Sequence, residues 1–174
     1  MRYRTLLIAV AALVVLAGLV PAQDHSYVGA QMCKICHRTE KQGRQYPIWE
    51  QSKHSQAFAA LSSPGAAEKA KAAGVTVNPA ESPDCLKCHA PLYEKAPQLK
   101  DQGVTCEVCH GPGSDYKSLS VMKDKAEAVK KGLILYASPD AIKAQCMKCH
   151  ENAHNMPFDF TTAWPKIKHS IPKE

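Results

Sequence analysis

The feature that most constrains this chain is a five-residue motif, Cys-x-x-Cys-His, which occurs four times in 174 residues. The copies occupy residues 33–37, 85–89, 106–110 and 146–150 and are called here the first to fourth motifs. Together they contain all eight cysteines of the chain and four of its eight histidines. Any function assigned to the chain must therefore explain why a histidine directly follows every second cysteine.

Three chemistries compete for these cysteines. An even number of cysteines in an exported chain suggests disulfides, and Cys-x-x-Cys pairs suggest structural zinc. Neither explains the adjacent histidine in all four copies. Covalent attachment of haem c explains every position, because two thiols add to the two vinyl groups of the porphyrin and the next residue becomes the proximal ligand of the iron. The motifs therefore predict four covalently attached haems.

The motifs also assign the residues of these sites. Haem attachment is predicted at the motif cysteines, Cys33, Cys36, Cys85, Cys88, Cys106, Cys109, Cys146 and Cys149. The motif histidines, His37, His89, His110 and His150, are the predicted proximal ligands. The second and third motifs are the closest in sequence, which suggests that their haems are neighbours.

The amino terminus has the layout of a secretory signal. Arg2 and Arg4 precede an uncharged run, 6–20, which falls short of the roughly 20 apolar residues that a spanning helix needs. Cleavage is expected after Ala22, so residues 1–22 are assigned as signal peptide and 23–174 as one tetrahaem domain. An uncleaved anchor is the alternative. The expected location is the periplasm, with an extracellular or membrane-associated location as alternatives.

Composition limits both the core and the partners. Removing 22 residues from 174 leaves 152 for four haems, and aromatic residues make up only 6% of the chain. The haems are therefore expected to supply most of the apolar core. The formal charge of +6 falls by two when Arg2 and Arg4 leave, and so mild a basic excess gives no reason to expect nucleic-acid binding.

The predicted fold class is mainly α, a multihaem cytochrome c with a haem-packed core, long loops and few or no strands. Helical tendency covers 39–61 and places His54 and Phe58 on one face. Further helices are predicted from Ser63-Pro64 to Gly74, over 120–131, and from Ser138 into the fourth motif.

Function depends on the ligand opposite each proximal histidine. An iron with two strong protein ligands transfers electrons, whereas an iron with one can bind a substrate. The remaining histidines, His25, His54, His154 and His169, match four such positions in number. His54, beside Trp49 and Phe58 on an apolar face, is the strongest candidate, followed by His169.

The other candidates are less constrained. His154 lies too close to His150 to serve the same iron but could reach a neighbouring haem, and a solvated helix residue is the alternative. His25 would be the third residue of the processed chain, in a segment that frays unless it is tied down. Met122 could supply a thioether ligand, which raises the potential of a haem, but simple packing is the more common use of a helical methionine.

Several stretches resemble the cytochrome c-554 family of tetrahaem cytochromes: YVGAQMCKICH, WEQSKHSQAF, CEVCHGPGSDY, CMKCH and AWPKIKH. The resemblance covers essentially the whole processed chain. It implies a mainly helical fold with haems in closely packed, partly stacked pairs. It also implies electron transfer, which in the best-known members follows hydroxylamine oxidation.

The same resemblance implies ligand roles. His54 would be distal to the fourth haem and His169 distal to the third, whereas the haem held by His89 would lack a distal ligand. Relatives often carry a histidine shortly after C-H-G-P-G, which serves the first haem, but this chain has Tyr116 in that region. The partner of the His37 haem is left open between His25, His154, Met122 and no ligand.

The leading functional hypothesis is an electron relay between redox-partner proteins, because the sequence shows no acid, base or substrate pocket. Association with membrane-bound electron-transfer complexes and homo-oligomers sharing ligands are further options, and nucleic acid is not expected. The alternative is a reductase of a small nitrogen oxide at an open haem. Its proton donors would lie near the second motif, at Asp84, Lys87, Tyr93 and Lys95.

Overall fold

The computed structural model describes residues 25–151 and 153–170. The signal peptide assigned to 1–22 lies outside these ranges. Among the described residues, no helix is both long enough and apolar enough to cross a membrane.

Within the described residues the chain forms short helices and no strand, which confirms the mainly α fold class. The α-helices are α1 (Ala30–Lys34), α2 (Gln45–Glu50), α3 (Ala66–Ala72), α4 (Pro83–His89), α5 (Cys106–His110), α6 (Leu119–Met122), α7 (Lys125–Lys130), α8 (Pro139–His150) and α9 (Phe160–Ala163). The 3-10 helices are Ala59–Ser62, Pro97–Gln102, Ala153–Asn155 and Trp164–Lys166.

The motifs end helices. The second, third and fourth motifs complete α4, α5 and α8, each with its histidine as the last helical residue, while the first motif leaves α1 after Lys34. Proline at the first helical position starts both α4 and α8. In α8 the Ser138 hydroxyl also accepts a hydrogen bond from the Ala141 backbone N–H, as the sequence predicts.

The long helix predicted over 39–61 is broken. Helix α2 ends at Glu50, and His54 lies in a run of turns before the 3-10 helix Ala59–Ser62. The hydroxyls of Ser52 and Ser55 donate to backbone carbonyls in this region, at 2.7 Å for Ser52 to Trp49. Such hydrogen bonds compete with the helical ladder, so His54 and Phe58 do not share a helix face.

Two other predicted helices differ at their boundaries. The Ser63 hydroxyl bonds back to Ala60, so the next helix begins only at Ala66, after Gly65 in the left-handed region. The predicted helix over 120–131 divides at Asp124, whose carboxylate accepts from the Glu127 N–H and caps α7 as a new helix.

The apolar core of the described chain is small. One cluster contains Leu61, Leu86 and Ala90, and a second contains Leu92, Ala96 and Leu99. Both lie around α4 and the 3-10 helix that follows it, and Val108 of the third motif packs against the second cluster. The polypeptide alone thus packs only part of its interior, consistent with the expectation of a large apolar cofactor.

Glu107, inside the third motif, is the most buried charged side chain of the core, at 2% exposure. Its carboxylate accepts hydrogen bonds from the backbone N–H groups of Val28, Gly29 and Gly113, the shortest at 2.7 Å. The bonds join the segment before the first motif, the third motif and the loop after it. Hydrogen bonding of this kind is what makes a buried carboxylate tolerable.

We expect Glu107→Gln to lower the free energy of unfolding by at least about 2 kcal/mol. The amide nitrogen of glutamine is a donor and cannot accept from the backbone N–H groups, so buried donors are left without partners. Thermal unfolding of the haem-loaded protein, followed by far-ultraviolet circular dichroism, measures the effect. Glu68→Gln, on the exposed surface of α3, is the matched control and should change little. Equal unfolding midpoints for the two variants would contradict the role of Glu107.

Candidate functional site

Three pairs of histidine rings face one another, and each pair joins one motif histidine to one histidine outside the motifs. The ring centroids lie 6.1 Å apart for His54 and His150, 5.9 Å for His89 and His154, and 5.8 Å for His110 and His169. In all three pairs the two members come from segments far apart in the chain. The same distance between ring centroids therefore recurs at three separate places in the fold.

This spacing fits a metal ion held between two imidazoles. A metal–nitrogen bond of about 2 Å on each side places the two ring centres about 6 Å apart. Among the described residues, no group of three or more His, Cys, Asp or Glu side chains forms a metal site by protein ligands alone. Two imidazoles on opposite sides of a planar macrocycle that supplies the other ligands are what a haem iron requires. The residues therefore fit haem.

Backbone carbonyls orient two of the motif histidines. The Nδ1 atom of His89 lies 2.7 Å from the Ala57 carbonyl oxygen, and that of His110 lies 3.2 Å from the Ile134 oxygen. A carbonyl can only accept, so Nδ1 carries the proton in both rings. The Nε2 atom of each ring is then free to bind iron, as is usual for a ligating histidine.

Four of the paired imidazoles have lowered pKa values. Desolvation is the first cause for His54, His150, His110 and His169, and the charge of the partner ring adds to it for His54 and His169. The neutral ring, which is the ligating form, is therefore favoured near neutral pH.

The backbone of His154 is unusual. Both His154 and Asn155 have left-handed conformations, with φ of 54° and 57°. Two consecutive residues of this kind cost about 1–3 kcal/mol each in strain. The conformation brings the His154 ring to His89, the motif histidine for which the family resemblance implied no partner.

His37 is the motif histidine without a facing ring among the described residues. Its Nδ1 atom is buried and has no hydrogen-bond partner. His25, the remaining histidine, lies elsewhere: its Nδ1 is 2.9 Å from the Asp115 carboxylate. Met122 is the last residue of α6, and its backbone N–H bonds to Ser118.

All eight cysteines are free, which gives the disulfide alternative no support. Some of them lie near cysteines of other motifs. Cys106 of the third motif shifts the pKa of Cys33 in the first. In addition to burial, Cys88 of the second shifts the pKa of Cys149 in the fourth, and Cys146 of the fourth shifts that of Cys109 in the third. The prediction that the haems of the second and third motifs are neighbours stays a prediction.

Burial controls the acidity of these thiols. It raises the pKa of Cys109 to about 11 and that of Cys149 to about 12. The pKa of Cys33 is lowered by its hydrogen bond with Cys106, whose own pKa rises for the same reason. In a haem-bearing protein these sulfur atoms would be thioethers, so the shifts concern the chain before attachment.

Tyr116, which stands where relatives have a histidine nearby, is a structural residue. Its buried hydroxyl donates to the Gly111 carbonyl at 2.9 Å and closes the loop after the third motif. Asp115 beside it, like Glu107 within the motif, was missed by sequence reasoning. Both read as ordinary surface charges, because only the fold shows that Glu107 is enclosed and that Asp115 meets His25.

The chain is similar in sequence to known c-type cytochromes. Residues 32–111 match the family model of cytochrome c554 and c-prime. The chain is 25% identical to cytochrome c-554 of Nitrosomonas europaea, over 87% of this chain and 69% of that protein. It is also 25% identical to the C-type polyheme cytochrome OmcB of Geobacter sulfurreducens, over half of this chain but only 11% of OmcB. No solved structure matches the chain.

Gly111, directly after the third motif, has φ +77°, and a Cβ there would lie 2.6 Å from the Gly132 carbonyl oxygen. We expect Gly111→Ala to displace the 132–134 segment that orients His110 and to lower both the yield of haem-loaded protein and its unfolding temperature. Gly74 is a matched control, since its φ of +79° is similar and nothing lies within 4 Å of its added Cβ. Gly74→Ala should cost only the backbone strain, about 1 kcal/mol. Equal losses would show that the contact with Gly132 has no role.

Proposed function

This chain belongs to the cytochrome c-554 family, and from that membership we propose that it is an electron relay carrying four haems. Members of the family hold c-type haem covalently and transfer electrons, and this chain does likewise. The number of haems, their individual ligands and the direction of electron flow are the substance of the proposal.

In this proposal each motif binds one haem through its two cysteines and its histidine. The distal ligands would be His54 for the fourth haem, His154 for the second and His169 for the third. When bound, each haem supplies an iron that is reduced and reoxidised by one electron. The polypeptide positions the imidazole rings. In His89 and His110 a backbone carbonyl keeps the proton on Nδ1, which leaves Nε2 for the iron.

The single observation that carries the proposal is the set of three ring pairs at 5.8–6.1 Å. An iron with imidazole on both faces has no place for a substrate and exchanges electrons only. The influence of cysteines on one another's pKa values favours an order, first to third to fourth to second, in which consecutive motifs lie near each other. A relay needs such a continuous sequence of neighbours, with partners at the ends.

The location and partners follow from the same reasoning. An apparent signal sequence and haem c attachment both favour export to the periplasm. Redox proteins, soluble or within membrane-bound complexes, are the proposed partners. A dimer that shares ligands between copies remains an option.

The alternative is a reductase of a small nitrogen oxide at one open haem, and the lack of a ring facing His37 is the observation in its favour. The proton donors suggested near the second motif do not help it. Lys87 and Asp84 form an exposed ion pair at 3.1 Å, and the Tyr93 hydroxyl donates to Glu94 at 2.7 Å. The second motif also has His154 opposite His89.

The haem count is the first experiment. The mass of the purified, processed protein and its pyridine haemochrome spectrum should give four haems per chain. Fewer than four would contradict the proposal, and so would a haem that is lost under denaturing conditions, because thioether-linked haem stays attached.

His154→Ala should convert one of four irons from low-spin to high-spin and create one site for carbon monoxide, since it removes the ring facing His89. Electron paramagnetic resonance of the oxidised protein and optical titration of the reduced protein measure these changes. His54→Ala and His169→Ala should behave alike, whereas Lys168→Ala, an exposed neighbour of His169, should leave every iron unchanged. An unaltered spectrum for His154→Ala would remove His154 from the ligand set.

A further inference from the structure

The three ring pairs leave two histidines over. All eight histidines lie within the described residues, and six of them form the pairs. The two that remain are His37, the proximal residue of the first motif, and His25. If the first haem receives a second imidazole from its own chain, that imidazole can come only from His25.

The structure fixes His25 firmly, although its position near the processed amino terminus suggested fraying. Its Nδ1 lies 2.9 Å from the Asp115 carboxylate, and its side chain is only 21% exposed. The backbone of the next residue, Ser26, bonds to Ser114 through both its N–H, at 3.0 Å, and its carbonyl, at 3.1 Å. The ring also packs over Gly132, where an added Cβ would lie 3.4 Å from its Cδ2 atom.

The contact with Asp115 determines which nitrogen of His25 is free. An ionised carboxylate can only accept, so Nδ1 carries the proton and Nε2 is left for another partner. His89 and His110 use Nδ1 in the same way, against backbone carbonyls. A carboxylate on the far nitrogen is a common companion of metal-bound histidine, because it orients the ring and makes it a stronger donor.

The loop after the third motif, whose Asp115 binds His25, lies beside the attachment site of the first haem. The Cys33 Sγ atom lies 3.9 Å from the Gly29 carbonyl oxygen, and the N–H groups of Gly29 and Gly113 both donate to the Glu107 carboxylate, which joins the segment before Cys33 to the loop of Asp115. The charge of Cys33 also adds to burial in raising the pKa of Tyr116. Cys33 is the first cysteine of the first motif. His25, Asp115, Tyr116 and Cys33 therefore lie in one region of the structure. The loop after the third motif contains no histidine, but its Asp115 binds His25 from the amino-terminal segment.

We propose that His25 is the distal ligand of the first haem and that Asp115 is the residue that positions it. The inference rests on the proposed four-haem function and completes it, since all four irons would then have two imidazoles. His25 and His37 are not in ring contact, unlike the other pairs, so the fourth pair is completed only as the first haem is attached. The chain would then have no open iron.

Spin state and ligand binding test the inference directly. The wild-type protein should show four low-spin irons and bind no carbon monoxide. His25→Ala should show one high-spin iron in four, bind carbon monoxide at that haem, and return to four low-spin irons when imidazole is added. Ser26→Ala is the matched control, because the contacts of Ser26 with Ser114 use only its backbone, and it should resemble the wild type.

Asp115→Asn tests the positioning role separately. The amide oxygen can still accept from Nδ1, so all four irons should stay low-spin. The reduction potential of one haem should rise, because the neutral amide no longer increases the electron donation of the imidazole. Unchanged potentials would mean that Asp115 only anchors the segment.

Three outcomes would overturn the ligand assignment. A wild-type protein that already binds carbon monoxide at one haem has an open iron, and a His25→Ala protein with four low-spin irons takes its ligand elsewhere, for example from Met122. If His25→Ala does not mature, His25→Met is the substitute, and a spectrum without a new iron–thioether absorption band would be equally decisive. A haem count below four would instead defeat the proposed function, so the two failures are distinguishable.

Discussion

The buried carboxylate of Glu107 is the interaction on which the arrangement of the motifs depends. Three backbone N–H groups from two segments converge on it: Val28 and Gly29 lie between His25 and the first motif, and Gly113 lies in the loop that carries Asp115. Its negative charge also acts on Cys33 and Cys106, the attachment residues of two different motifs. An anion buried near the attachment residues of two motifs would favour the ferric state of haem held there, so the residue that holds the loops would also lower reduction potentials.

The polypeptide otherwise relies little on apolar packing. Its two clusters of buried residues are built around α4 and the segment after it. Elsewhere the loops are held by polar contacts of specific geometry: Tyr116 to Gly111, the Trp49 indole to the Val104 carbonyl at 2.7 Å, and Tyr136 to Cys109 at 2.8 Å. These contacts set the positions of the motif residues before any haem is considered, which explains why three ring pairs already have the spacing that an iron needs.

The sequence predicts the parts of this protein that depend on local signals. The Ser-Pro start of α8, the glycine after α3 and the absence of strands from the described part of the chain follow from capping and periodicity. The breaks near His54 and at Asp124 do not, because serine hydroxyls and a capping aspartate override a helical pattern there. The meeting of His154 with His89 depends on left-handed conformations at His154 and Asn155; these residue types tolerate that conformation but do not require it. The burial of Glu107 is decided by backbone that is distant in sequence.

The three ring pairs have a topological consequence. In chain order the first members of the pairs, His54, His89 and His110, all precede their partners. The partners, His150, His154 and His169, then follow in the same order. The three iron bridges would therefore cross-link overlapping stretches of chain, none nested inside another. Each bridge closes a long loop and removes conformational freedom from the unfolded state. A cut between His110 and His150 would separate the members of all three pairs, so no fragment on either side of it would contain a complete pair.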